Sequence, residues 1–74
     1  MNINELVANR IKELRKEKSL TAEKLAWTAE LSKSCVSYAE KGKSSIKIST
    51  IYALCNAMDI TLAEFFSSFD EKIN

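Results

Sequence analysis

Apolar residues along this chain recur at three- and four-residue intervals, the spacing that lays one stripe along an α-helix. Val7, Ile11 and Leu14 form the first stripe, in a helix predicted from about Asn4 to Lys18. Its outer faces carry Arg10, Lys12, Glu13, Lys16 and Glu17, read as solubilising charges. A second, shorter helix follows Thr21, with Leu25, Ala26 and Ala29 inward, and a third follows Ser32, with Val36 and Ala39 inward. Both start at a hydroxyl residue, whose oxygen can accept from the unpaired N–H groups of a first turn. A fourth helix opens at Ser49 or Thr50 and places Ile51, Leu54, Cys55 and Met58 at i, i+3, i+4 and i+7. Thr61 and Glu64 have capping-box spacing and open a fifth helix over about 62–70, carrying Leu62, Phe65, Phe66 and Phe69. No β-branched residues alternate with polar ones over a strand's length, and there is no Pro. The expectation is an all-α, compact five-helix bundle in one domain spanning residues 1–74.

Between the second and third helices lie only Glu30 and Leu31, so these helices must meet at a steep angle. The third is short and capped. It turns Lys33, Ser34, Ser37 and Tyr38 outward, and a helix of that size with small polar groups outside suits a DNA major groove. This pair of helices is therefore a helix-turn-helix candidate. Gly42 follows, able to take the left-handed conformation at a helix end, and then a loop reading KSSIKIS.

The net charge of +1 looks poor for a nucleic-acid binder until it is located. Arg10 to Lys43 holds nine Lys/Arg against five Glu, while Ser44 to Asn74 holds two Lys against four Asp/Glu. The basic excess thus coincides with the helix-turn-helix, and phosphate attraction is local over a Debye length of about 8–10 Å.

The chain has no His, and Cys35 and Cys55 are its only cysteines. That leaves no zinc ligand set and no histidine base, and with no Gly-rich loop the reading is a non-enzyme without metal, cofactor or small-molecule ligand. The two cysteines read as separate thiols, Cys35 being a small residue chosen for fit. Without a membrane span or a signal-peptide pattern, the expected location is cytoplasmic. A chain of 74 residues buries only about 60 % of its unfolded surface. Phe66, Phe69 and Ile73 would then leave an apolar patch for a second copy, unless they fold back near Ile3 and Leu6. Trp27 is expected to lie partly buried over the helix junction.

Taken in order, IKELR at Ile11–Arg15, LTAEKLA at Leu20–Ala26, LSKSCVSYAEKG at Leu31–Gly42 and ISTIYALCNAMDITLAEFF at Ile48–Phe66 resemble the Cro and lambda-repressor-type helix-turn-helix family, also called the XRE family. The resemblance implies the lambda-repressor-like fold and a sequence-specific regulator that binds double-stranded DNA at a pseudo-palindrome as a homodimer. It places Arg15 and Glu40 in a structural ion pair between the first and third helices. It implies base reading by Lys33, Ser34, Ser37 and Tyr38, and phosphate contacts by Thr21, Lys24, Lys41, Lys43 and Lys47. Three positions depart from the family pattern. Ala22 replaces a usual Gln and loses its DNA contact, Glu30 replaces a turn Gly, and Ile46 replaces a common Pro. The alternative reading is a protein-interaction module, such as an antitoxin that masks a partner.

Overall fold

The computed structural model describes residues 2–73, of which Ile73 is described by its backbone only. The helices are α1 (Ile3–Glu17), α2 (Ala22–Thr28), α3 (Lys33–Ala39), α4 (Ile48–Ala57), α5 (Leu62–Phe65) and α6 (Phe69–Ile73), and there is no strand among the described residues. This is the expected all-α bundle, with its last predicted helix in two pieces.

Side-chain caps start four of the helices. Asn2, Thr21, Ser32 and Thr61 accept from the backbone N–H of Glu5, Lys24, Cys35 and Glu64 at 2.9–3.1 Å. Glu64 reaches back to the Thr61 N–H at 3.3 Å, completing the capping box. α4 differs from expectation. It begins at Ile48, one residue before Ser49, and Lys47 at its N-cap makes no side-chain capping bond.

Helix ends follow a pattern the sequence reading covered only at Glu30. Ser19, Glu30 and Asp59 have φ of 57°, 59° and 57°, the left-handed region. At each, the next residue's N–H bonds back five residues: Leu20 to Arg15 O, Leu31 to Ala26 O and Ile60 to Cys55 O, at 3.0, 2.8 and 3.0 Å. These are Schellman endings, which satisfy last-turn carbonyls and turn the following apolar residue onto the core. Leu20, Leu31 and Ile60 all pack there, and each is followed at once by a capping Thr or Ser. Three residues therefore stop one helix, anchor the chain and start the next.

The predicted stripes form one core. Leu6, Val7, Ile11 and Leu14 of α1 meet Leu25, Ala26, Val36, Ala39, Ile51, Leu54, Cys55, Met58, Phe65 and Phe69. Burying each large member contributes about 1.5–3 kcal/mol. Phe69 is thus spent inside, only 5 % exposed, and does not face outward as expected of it. The cause is a break in the last helix. Ser67 Oγ donates to Glu64 O at 3.0 Å, while Arg10 of α1 donates from Nη2 to Glu64 O at 2.7 Å and from Nε to Phe65 O at 2.8 Å. The helix stops at Phe65, where these donors hold its last carbonyls, and Phe69 folds back so that its ring lies 4.8 Å from Phe66 and 5.9 Å from Phe65. Arg10 is therefore a clamp, and only Phe66 of the expected outward trio is a described side chain at the surface, 39 % exposed.

The Arg15–Glu40 pair ties α1 to the end of α3. Arg15 Nε and Nη2 donate to Glu40 Oε2 and Oε1 at 2.7 and 3.1 Å, and Nη1 donates to Leu20 O at 2.9 Å. Both side chains are mostly buried. The hydrogen bonds to Glu40 raise the Arg15 pKa above its ordinary value, against the opposing effect of burial and with added help from the Glu40 charge.

Two stability changes are expected. Glu40→Ala leaves the mostly buried Arg15 charge without its counter-charge and costs about 3–5 kcal/mol in urea denaturation, whereas Arg15→Met with Glu40→Leu recovers most of that. A loss well below about 1 kcal/mol would mark the pair as an ordinary solvated contact. Glu30→Gly relieves left-handed strain of about 1 kcal/mol and raises Tm by about 4–8 °C. A lowered Tm would contradict this account of the turn.

Candidate nucleic-acid interface

α2 and α3 pack directly on each other, through Leu25 and Ala26 on one side and Val36 and Ala39 on the other. Val36 is fully buried and Ala39 nearly so, which holds the outer face of α3 away from the core. Lys33, Ser34 and Tyr38 stand exposed on it, with Ser37 and Cys35 half-buried at its edges. All four expected base readers thus belong to one seven-residue helix whose position is fixed by the Ser32 cap at one end and by Glu40 at the other.

Two of them already have partners. Lys33 Nζ lies 4.0 Å from Glu23 Oε2, with both side chains well exposed, so this pair is weak and easily exchanged for another acceptor. Tyr38 Oη is hydrogen-bonded to Ser44 Oγ in the loop after α3. Neither partner was singled out from the sequence. Glu23 was legible as the first-turn acid of α2, whereas Ser44 becomes visible only once the loop's path is known.

The expected phosphate contacts divide in the same way. The Thr21 hydroxyl is committed to capping α2. The Lys24 ammonium sits over the Trp27 ring, 4.6 Å from its centroid. Trp27 is 74 % exposed, against the expectation of partial burial. Helical geometry explains why: Leu25 and Ala26 take the inner face, and at about 100° per residue Trp27 points about 150° from the direction midway between them. Lys41, Lys43 and Lys47 are exposed and form no ion pair among the described residues.

The loop bearing these lysines leaves α3 through Gly42, at φ 69°. A Cβ there would come within 3.2 Å of both Ala8 Cβ and Glu5 Cα, so glycine is required for its conformation and for its seat on α1. The cysteines are unpaired: Cys35 is half-buried on α3, and Cys55 is in the core, where burial pushes its thiol pKa up against the lowering effect of the Arg10 charge. Among the described residues no three metal-ligating side chains converge, and no helix is long and apolar enough to cross a membrane.

The fold has close counterparts among solved structures. The restriction-modification controller protein C.Esp1396I superposes with a TM-score of 0.88 at 23 % identity, over 99 % of this chain and 96 % of that one. The clp gene regulator ClgR from C. glutamicum gives a TM-score of 0.88 at 18 % identity, over 100 % and 96 %. An HTH_3 family transcriptional regulator from Vibrio cholerae gives 0.83 at 26 % identity, over 93 % of this chain but 39 % of that longer one. No curated protein sequence matches. The helix-turn-helix family HTH_3 matches residues 11–65, a span that begins just before Arg15 and runs through α2 and α3 to Phe65. By that match, and by the arrangement of α2 and α3, the chain belongs to the HTH_3 family of helix-turn-helix DNA-binding transcriptional regulators.

Proposed function

We propose that the chain is a cytoplasmic, sequence-specific transcription regulator that reads a pseudo-palindromic operator as a homodimer. The observation that carries this reading is the exposed face of α3, where Lys33, Ser34 and Ser37 stand together on a helix anchored at both ends. Lysine can donate to guanine O6 and N7, and the serine hydroxyls suit several base edges. Lys41, Lys43 and Lys47, beyond the helix, supply phosphate contacts that set register without reading sequence. At the start of α2 the Thr21 oxygen accepts the capping bond but keeps its own proton to donate, and the exposed Lys24 ammonium can leave the Trp27 ring. Both therefore add to these contacts. The half-exposed Phe66 and Leu62 offer the second copy an apolar surface at the other end of the chain, one that Phe69 supports from within.

Restriction-modification controllers are among the proteins of this fold. They support a regulatory role and do not select an operator. Reading by two copies requires recognition helices about 34 Å apart, one turn of the duplex.

Selection from a randomised duplex library at about 150 mM salt tests the proposal, since that salt suppresses purely electrostatic binding. The expected result is enrichment of a two-fold motif with half-site centres about one helical turn apart. A folded protein that enriches nothing would transfer the role to partner binding through the Phe66 surface. Two substitutions then separate reading from clamping. Lys33→Ala relaxes preference at one base pair by about 1–3 kcal/mol, while Lys43→Ala weakens all sequences alike and reduces the salt slope by about 1. If neither moves affinity or slope, α3 is not the reading helix.

A further inference from the structure

The loop between α3 and α4 has no regular structure from Lys41 to Lys47, yet it carries three of the lysines assigned to phosphate. Gly42 seats its start on α1, the Tyr38–Ser44 hydrogen bond holds its middle to α3, and Ile46 packs its end against the core. Tyr38 also lines a groove of about 260 Å³, together with Cys35 of its own helix and Ile46 and Lys47 of the loop. We propose that Tyr38 is a positioning residue for DNA binding and not a base reader: through Ser44 it locks the loop so that Lys43 meets a phosphate in fixed register with α3. The inference rests on the DNA-binding reading above.

Three considerations carry it. Whichever hydroxyl donates, swinging the Tyr38 ring over to a base edge would break its bond to Ser44. A charge on an unstructured loop must be ordered when it binds, and a loop held beforehand avoids that cost. Finally, Lys43 adjoins Ser44, whereas Lys47 is the N-cap residue of α4 and is held by that helix. The latch therefore acts on Lys43 and leaves Lys47 nearly untouched.

Tyr38→Phe and Ser44→Ala test this, since each removes one hydroxyl and keeps the rest of the side chain. Each is expected to weaken binding by about 2- to 10-fold, the span of one neutral hydrogen bond, equally on operator and random duplex. The double variant should bind no more weakly than either single one. With Lys43→Ala already present neither should add an effect, whereas with Lys47→Ala both should. In the free protein, both variants should lower the backbone ¹⁵N order parameters of Lys43, Ser44 and Ser45. A change of base preference in Tyr38→Phe, absent from Ser44→Ala, would overturn the proposal and make Tyr38 a reader. Unchanged order parameters alongside intact wild-type binding would overturn the latch alone. Failure of the wild type to bind any duplex would overturn the DNA-binding reading and the role of the latch with it.

Discussion

Arg15 reaches from the first helix to Glu40, the residue that caps the end of α3, and the orientation of α3 depends on what it grips there. Two donors go to Glu40 and a third goes to the carbonyl of Leu20, in the turn before α2. One guanidinium therefore ties together α1, the entry to α2 and the exit from α3. A lysine could hold one of these points as a charge, but it lacks the planar fork needed to hold all three. Burial makes the arrangement demanding, because a charge withdrawn from water is tolerable only while its partners stay in place.

The packing of α2 directly on α3 comes from a different source. A chain with a single glycine manages three abrupt reversals by placing Ser19, Glu30 and Asp59 in the left-handed region and anchoring each with an apolar residue behind it. Local strain of about 1 kcal/mol per turn is offset by burial of Leu20, Leu31 and Ile60, which occupy the space between successive helices. The capping hydroxyl that follows means no residue is spent on a connecting loop. The one long connection, after α3, is where the exposed lysines concentrate.

Much of this was legible in the residues. The stripes of Val7, Ile11 and Leu14, and of Ile51, Leu54, Cys55 and Met58, depend only on helical periodicity, and all are buried where the spacing placed them. The Thr21, Ser32 and Thr61 caps act within three residues of themselves, so their meaning does not depend on the fold. Arg15 and Glu40 were recoverable through the family resemblance. Arg10 was not: its acceptors are backbone carbonyls 54 and 55 positions away, and carbonyls leave no mark in a sequence. For the same reason the last helix read as continuous through Phe69. Trp27 was misplaced by its chemistry, since a large aromatic suggests burial even at a position whose angle on the helix points outward.

Arg10 and Arg15 sit five residues apart on α1, about 7.5 Å along its axis. One holds the carbonyls of α5 and the other holds the end of α3, so the C-terminal segment and the reading helix are both referred to the same rigid rod. The helix thus works as a gauge block. The distance from the Phe66 surface to the outer face of α3 is a property of α1, not of the connections between. In an assembly that joins two copies through their C-terminal ends, the separation of the two reading faces is metered by that rod. An insertion or kink between Arg10 and Arg15 would then alter which spacing of DNA half-sites the pair could span, with every base contact left intact.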